Sequence, residues 1–187
     1  MIEIDSETFS VSLAEEDVFR CGVDSIAARY SKRFDLQDQA FQPSTAIGVV
    51  CQSGGSSCII FAGGGGGSQE QNSAAIAEHT LFLAVGDSIA ALNLPDLTMR
   101  WHERLDTSTC FRVYRSPDQD GLLVHGECEI SKLRRNGEIV WSAAGRDIFT
   151  AITLHSDHVE VIDWNGENYL IRLSDGYSEL IDHKERF

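Results

Sequence analysis

VGDSIAALNLPDLTMRW, Val85 to Trp101, is answered forty residues later by HGECEISKLRRNGEIVW, His125 to Trp141. Laid over one another, the two stretches match Gly86 with Gly126, the run SIAALNL with EISKL, the turn Pro95-Asp96 with Asn136-Gly137, and Trp101 with Trp141. A third copy keeps the order: Gly166, then NYLIRL, the turn Asp175-Gly176, and YSELI with Leu180 near the tryptophan position. Each glycine follows an apolar run, LFLAV, LLVH or VEVIDWN. A period near forty built from short strands is the mark of propeller blades or related meander arrays. Each unit is an antiparallel meander with one apolar face, and that face is buried only by stacking on a neighbour.

GDSIAALNLPDLTMRW resembles the repeat of quinoprotein-type (PQQ-like) β-propellers. In these a glycine precedes a strand that ends in a turn, and a tryptophan closes the next strand to dock between blades. GECEISKLRRNGEIVW is similar but lacks the small residues at mid-strand, and GENYLIRLSDGYSEL keeps only the glycine and the turn. The resemblance spans about residues 81–180 and implies a fold element alone, because such repeats also occur in proteins that bind no quinone.

Upstream of the repeats, Ile2, Ile4, Phe9, Val11 and Leu13 alternate around the polar DSET, which predicts a short hairpin. Ser12 and Glu15 have capping-box spacing, and Phe19, Val23, Ile26, Tyr30 and Phe34 recur at helical steps. A helix over about 13–33 is therefore expected, with Gly22 and Asp24 marking a point where it can break. This hairpin and helix form an N-terminal unit, 1–40, that covers part of a β-repeat domain, 41–187. In that domain AIGVVC and SCIIFA read as strands joined by QSGGS. Five consecutive glycines, Gly63 to Gly67, then predict a mobile loop followed by a short helix or extended segment over SQEQNSAAIAEH.

The fold class is thus mainly β: propeller-like antiparallel meanders, two to four units, preceded by a hairpin and helix. A closed propeller needs at least four blades. Either the strands from Ala46 to Ala62 supply a degenerate extra blade, or the array stays open, with its exposed strands covered by the N-terminal helix or paired with another chain. Self-association that completes a ring is one outcome.

The 187 residues carry 29 acidic and 15 basic side chains, a net charge of −14. The excess is spread along the chain. Such a field repels nucleic acid and anionic membrane and steers a basic protein toward the surface. No basic, apolar leader opens the sequence and no apolar run of membrane-spanning length occurs. Five cysteines without framework spacing fit reduced thiols, so a cytoplasmic location is expected.

Catalytic motifs are scarce. No GK[ST] follows the glycine run, which excludes a P-loop, and no G-x-S-x-G elbow occurs. The cysteines sit in or beside strands, where small buried hydrophobes are the expected role. Lys132 to Arg135 reads as a solvated hairpin end. HSDH is the one place with two close histidines: His155 and His158 flank Asp157, and Asp163 lies near enough in sequence to complete a metal-ligand set. Trp164, beside Asp163 and Glu167 in the least regular repeat, marks a candidate binding surface, with Asp157 at its margin.

The expected function is non-catalytic protein binding through an acidic surface, in one version an inhibitor or immunity-type protein for a basic partner. No cofactor is expected. A self-assembling β-repeat protein and a metal-dependent hydrolase using the His155–His158 region are the alternatives.

Overall fold

The computed structural model describes residues 1–37, 42–65 and 73–181. It is mainly β: four sheets stacked side by side, antiparallel apart from one parallel edge strand in the first, each following the previous one in the chain. The second blade holds β6 (Ala74–Ala77), β7 (Thr80–Val85), β8 (Ser88–Asn93) and β9 (Met99–Arg104). The third holds β10 (Cys110–Arg115), β11 (Leu122–Gly126), β12 (Glu129–Leu133) and β13 (Ile139–Ala144). The fourth holds β14 (Phe149–Leu154), β15 (His158–Asp163), β16 (Asn168–Arg172) and β17 (Ser178–Ile181). In all three, strands pair in chain order, so the forty-residue period is the blade period. Gly86, Gly126 and Gly166 all fall at the turn from the second strand of a blade to the third.

The first blade differs. Its sheet runs β1 (Ile2–Asp5), β2 (Ser10–Glu15), β4 (Thr45–Cys51), β5 (Ser56–Ala62) and β3 (Lys32–Asp35), with β3 parallel to β5. The hairpin expected at the N-terminus is β1–β2. The helix expected over 13–33 does not form. Leu13 continues the alternation of β2, and only α1 (Val18–Cys21) and α2 (Val23–Ala27) are helical, separated by Gly22 at φ 75°. The cap is Asp17, whose carboxylate accepts from Arg20 N, and not Ser12. Residue 40, where a unit boundary was expected, lies outside the described residues, but β2 pairs with β4 and β3 with β5 across it.

Alternation along each strand decides which blade it packs on. Val11, Leu13, Ile47, Val49 and Ile60 meet Leu81, Leu83 and Ala90 to form the core between blades one and two. Phe82, Ala84 and Ile89 meet Val113, Leu122 and Val124 between two and three. Leu123, Ile130 and Trp141 meet Phe149, Val159, Val161 and Ile171 between three and four. Among the described residues no core joins the fourth blade back to the first, so the array is open.

Its two ends are unlike. The outer face of blade one, with Ala46, Ile59 and Phe61, is roofed by Ile26 together with Val18, Val23, Ala27 and Tyr30. Tyr30 lies over Gly48, where a Cβ would collide with its ring, and its hydroxyl donates to Glu16 Oε1 at 2.6 Å. The outer face of blade four belongs to no core cluster among the described residues, and Ile162 on it is 40% exposed.

The tryptophans explain why the period is kept. Trp101 on β9 reaches the β12–β13 turn of the next blade, where Nε1 donates to Arg135 O at 3.0 Å and the ring lies on Gly137. Trp141 on β13 repeats this one blade later, donating to Leu173 O at 3.0 Å with its ring on Gly176. The same Leu173 carbonyl accepts from Lys132 Nζ at 3.2 Å, and Lys132 is paired with Asp118 at 2.6 Å. Lys132 is therefore buried between blades and is not part of a solvated hairpin end. The other two basic residues of that run do reach the surface, Arg134 to Glu138 and Arg135 to Glu78.

The start of the glycine run is also packed. Asp87 N donates to Gly63 O at 3.1 Å, Gly65 N to Ser108 O at 3.2 Å, and Ser44 Oγ to Gly64 O at 2.5 Å. Gly66 and Gly67 lie outside the described residues. Residues 68–72 lie outside them too, and AAIA, within the segment expected to be a short helix or extended, is strand β6.

Candidate functional site

The residues that the sequence singled out for binding or metal ligation lie on β15 (His158, Asp163) and on the turns at its two ends (His155 and Asp157 before it, Trp164 and Glu167 after it), and the alternation of β15 sorts those on the strand. Val159, Val161 and Asp163 point into the core, whereas His158, Glu160 and Ile162 lie on the bare outer face. Asp163 is 1% exposed. Its carboxylate accepts from Asn165 N at 3.0 Å, from Glu167 N at 2.9 Å and from the Tyr169 hydroxyl at 3.2 Å. It organises the β15–β16 turn and offers no charge to a partner or to a metal held with the histidines.

That turn presents Trp164, 72% exposed. Glu167 stands beside it, half-buried, sharing with Asp163 the single Tyr169 hydroxyl proton, nearer at 2.9 Å, and facing Arg146 at 3.3 Å. Asp157 is at the other end of the strand, about 20 Å away for six residues of extended chain. The candidate binding set therefore divides: Trp164, Asp163 and Glu167 share one end of the blade, and Asp157 joins the histidines at the other.

There HSDH forms the turn between β14 and β15, closed by His155 N donating to His158 O at 3.0 Å. Turn closure brings the two imidazoles together, stacked with centroids 4.4 Å apart and planes within 9°. Glu160, two residues along the same face from His158, supplies the carboxylate that sequence reading assigned to Asp163. Its Oε1 lies 3.8 Å from Nε2 of each histidine. His158 Nδ1 is 2.8 Å from Asp157 Oδ1, and this hydrogen bond holds the Asp157 carboxyl below its usual range. Glu160 was readable only once β15 was known to start at His158.

A feature that sequence reading missed is a cleft of about 700 Å³ lined by Asp35, Leu36, Gln37, Asp87, His102 and Arg104. Asp87, 1% exposed, holds Arg104 at 2.8 Å and accepts from Gln37 Nε2 at 3.0 Å and Ser88 Oγ at 2.9 Å. The Asp87–Arg104 pair lies within blade two, with the Arg104 side chain largely exposed, and it is Gln37, just after β3, that ties blade one to it.

Thiol chemistry is disfavoured on physical grounds. Burial pushes the Cys58 thiol up to about 12 and Cys110 well above its ordinary value, and Cys128 is also raised, first by burial. A protonated, enclosed thiol is neither nucleophile nor ligand. Under native conditions iodoacetamide is therefore expected to modify exposed Cys21 and to leave Cys51, Cys58 and Cys110 intact until the protein unfolds. Site-resolved mass spectrometry over time checks this, and early labelling of Cys58 would contradict it.

With this geometry in place, comparison with known proteins bears on the fold. The chain is similar to a solved CNH domain. That structure, the AfRom2 CNH domain, superposes with a TM-score of 0.52 at 13% identity, covering 93% of this chain and 50% of that one. At such identity the likeness extends to the propeller-like fold and no further, and this chain spans half the length of the domain it matches. No family model matches the chain, and no curated protein matches it. Among the described residues no helix is long and apolar enough to cross a membrane.

Proposed function

We propose that this protein is a non-catalytic binding module whose outer blade-four face receives a basic protein partner. The observation that carries this reading is the asymmetry of the stack: helices roof the outer face of blade one, and nothing among the described residues roofs that of blade four. A propeller-like sheet face ordinarily packs on another layer. Here the face and its margins carry Ile162 and Trp164 as exposed apolar anchors, with Asp157, Glu160, Glu167 and Glu179 around them against Arg172 and Arg146. A buried aromatic anchor inside a rim of complementary charge is the usual anatomy of a protein contact. The net charge of −14 favours a cationic partner by steering its approach. An inhibitor or immunity-type role for such a partner is one form of this reading. The tryptophan docking between blades supports the quinoprotein-type repeat as a relative of the architecture, with no quinone implied.

Self-assembly is the competing reading. The helical roof on blade one obstructs head-to-tail ring completion, so a self-pair would have to place two blade-four faces against each other, with like charges opposed.

The test uses a short fluorophore-labelled amphipathic lysine–leucine peptide as probe, followed in all variants by the fluorescence anisotropy of its label, with the emission of Trp164 as a second readout in the wild type. Trp101 is half-buried and Trp141 buried, which makes Trp164 the exposed reporter. Binding is expected to slow on adding salt and to weaken by about thirtyfold or more in Trp164→Ala, as for a central anchor worth about 2 kcal/mol. Ile162→Glu is expected to weaken it further. Binding indifferent to both substitutions overturns the reading. So does a micromolar dimer, seen by light scattering, that the same substitutions dissolve.

A further inference from the structure

We propose that His155, His158 and Glu160 form a binding site for a divalent transition-metal ion on the outer face of blade four, through both imidazole Nε2 atoms and the Glu160 carboxylate. The proposal does not rest on the protein-binding reading, since it concerns three donors and not the face as a whole.

Three observations carry it. The first is convergence: one ligand atom from each residue lies within 4.8 Å of the others, and Glu160 Oε1 is 3.8 Å from both Nε2 atoms. Donors on one tetrahedral ion, with bonds of about 2.0–2.2 Å, sit roughly 3.4 Å apart, so the Glu160 oxygen closes on each Nε2 by a few tenths of an ångström, while the two imidazole nitrogens draw together as the rings turn. The second is the His155 Nε2 atom, which is shielded from water and has no hydrogen-bond partner. A shielded, unsatisfied nitrogen is costly unless something else meets it. The third is Asp157. Its carboxylate at 2.8 Å favours the His158 tautomer with a proton on Nδ1, which leaves the Nε2 lone pair on the Glu160 side. A carboxylate behind a histidine is the usual outer support of a metal-bound imidazole.

The surroundings are compatible with a cation. Arg172, opposite His158 in the strand register, is held away by Asp175 at 3.2 Å and by stacking over Tyr177. The rings lie parallel, so both lone pairs meet one ion only after each ring turns about its Cβ–Cγ bond, a broad torsion. Both side chains have room for this, at 39% and 23% exposure. Two imidazoles and one carboxylate suit zinc, nickel, copper or cobalt over magnesium or calcium. Three protein donors on an open face leave a further coordination position to solvent or to a group from another molecule.

The experiment is calorimetric titration of zinc into chelator-treated full-length chain near neutral pH. One zinc per chain is expected, with a rise in melting temperature that follows free zinc. His155→Gln, His158→Gln and Glu160→Gln are expected to abolish that stoichiometric binding, and Asp157→Asn to weaken it about tenfold. The substituted side chains lie at the surface, and circular dichroism in chelator verifies that the variants fold. Cobalt titration of the wild type supplies a second readout, visible bands of a low-symmetry nitrogen–oxygen site that vanish in the His158→Gln variant. Failure to bind zinc at micromolar concentration overturns the proposal. So does binding that survives the double histidine substitution, or that disappears in Cys21→Ser, which would place the ion on an exposed thiol.

Discussion

Replacing Trp141 with alanine is expected to destabilise the protein by about 3–5 kcal/mol, the range for a large aromatic removed from a core. The side chain is 7% exposed, and three separate losses coincide there. Its ring leaves the cluster of Leu123, Ile130, Phe149 and Tyr169 that holds blade four on blade three. Its indole N–H no longer meets Leu173 O, leaving that carbonyl to Lys132 alone. Gly176 loses the aromatic surface that its missing Cβ makes room for. Trp101→Ala at the equivalent position is expected to cost distinctly less, because that ring is half-buried and its hydrogen bond to Arg135 O is exposed. Urea denaturation of both variants measures the difference. Equal costs would mean that the two blade junctions are not built as described, and a lower m-value for Trp141→Ala would show blade four detaching on its own.

This result would also bear on why the repeat was visible in the sequence. A tryptophan forty residues after another, each preceded by a turn glycine, is a packing relation between neighbouring blades written in single residues, so a periodic reading finds it. The first blade escapes that reading because it is assembled from both sides of a helical excursion and lacks the tryptophan and turn at the right spacing. The helix expected over 13–33 failed for a related reason: Val11 and Leu13 belong to a period of two and pack between blades, while Phe19, counted in the apolar stripe, is 87% exposed. Periodicity mixed two elements, and Gly22 at φ 75° was the marker of the break. At the site, His155 and His158 were legible because a turn keeps near neighbours together. Asp163 was misassigned to them although it lies five residues beyond His158, an odd step that a strand sends to the opposite face.

The three repeat glycines yield the sharpest separation of sequence equivalence from structural requirement. Gly86→Ala is expected to destabilise by about 2–5 kcal/mol, the sum of a positive φ forced on a residue with a Cβ and of overpacking against backbone. Gly86 sits at φ 56°, and a Cβ there would fall on the carbonyl of Gly63, which accepts from Asp87 N and cannot swing aside without breaking that bond. Gly126→Ala is expected to cost less. Its φ is not positive, and the Cβ would meet chiefly the Asp106 carboxylate, a side chain that can move but is held by Ser108 N at 2.7 Å, Cys128 N at 2.9 Å and Glu129 N at 3.1 Å. It would also come within 2.9 Å of Glu129 O, a milder backbone contact than the overlap with Gly63 O at Gly86. Gly166→Ala is expected to cost only about 1–2 kcal/mol, since φ 78° is strained for alanine but nothing lies within 4 Å of the added carbon. Thermal or urea unfolding of the three single variants gives the order directly. The sequence alone ranks them equal, because all occupy one place in the repeat. An order of Gly86, Gly126, Gly166 would show that the first two turns are locked by the segments packed against them, whereas the third, beside Trp164, has room to be reshaped. Equal costs, or Gly166 as the most sensitive of the three, would instead mean that the turn carrying Trp164 is as tightly built as the others and would weaken the case that this end of the blade is free to meet a partner.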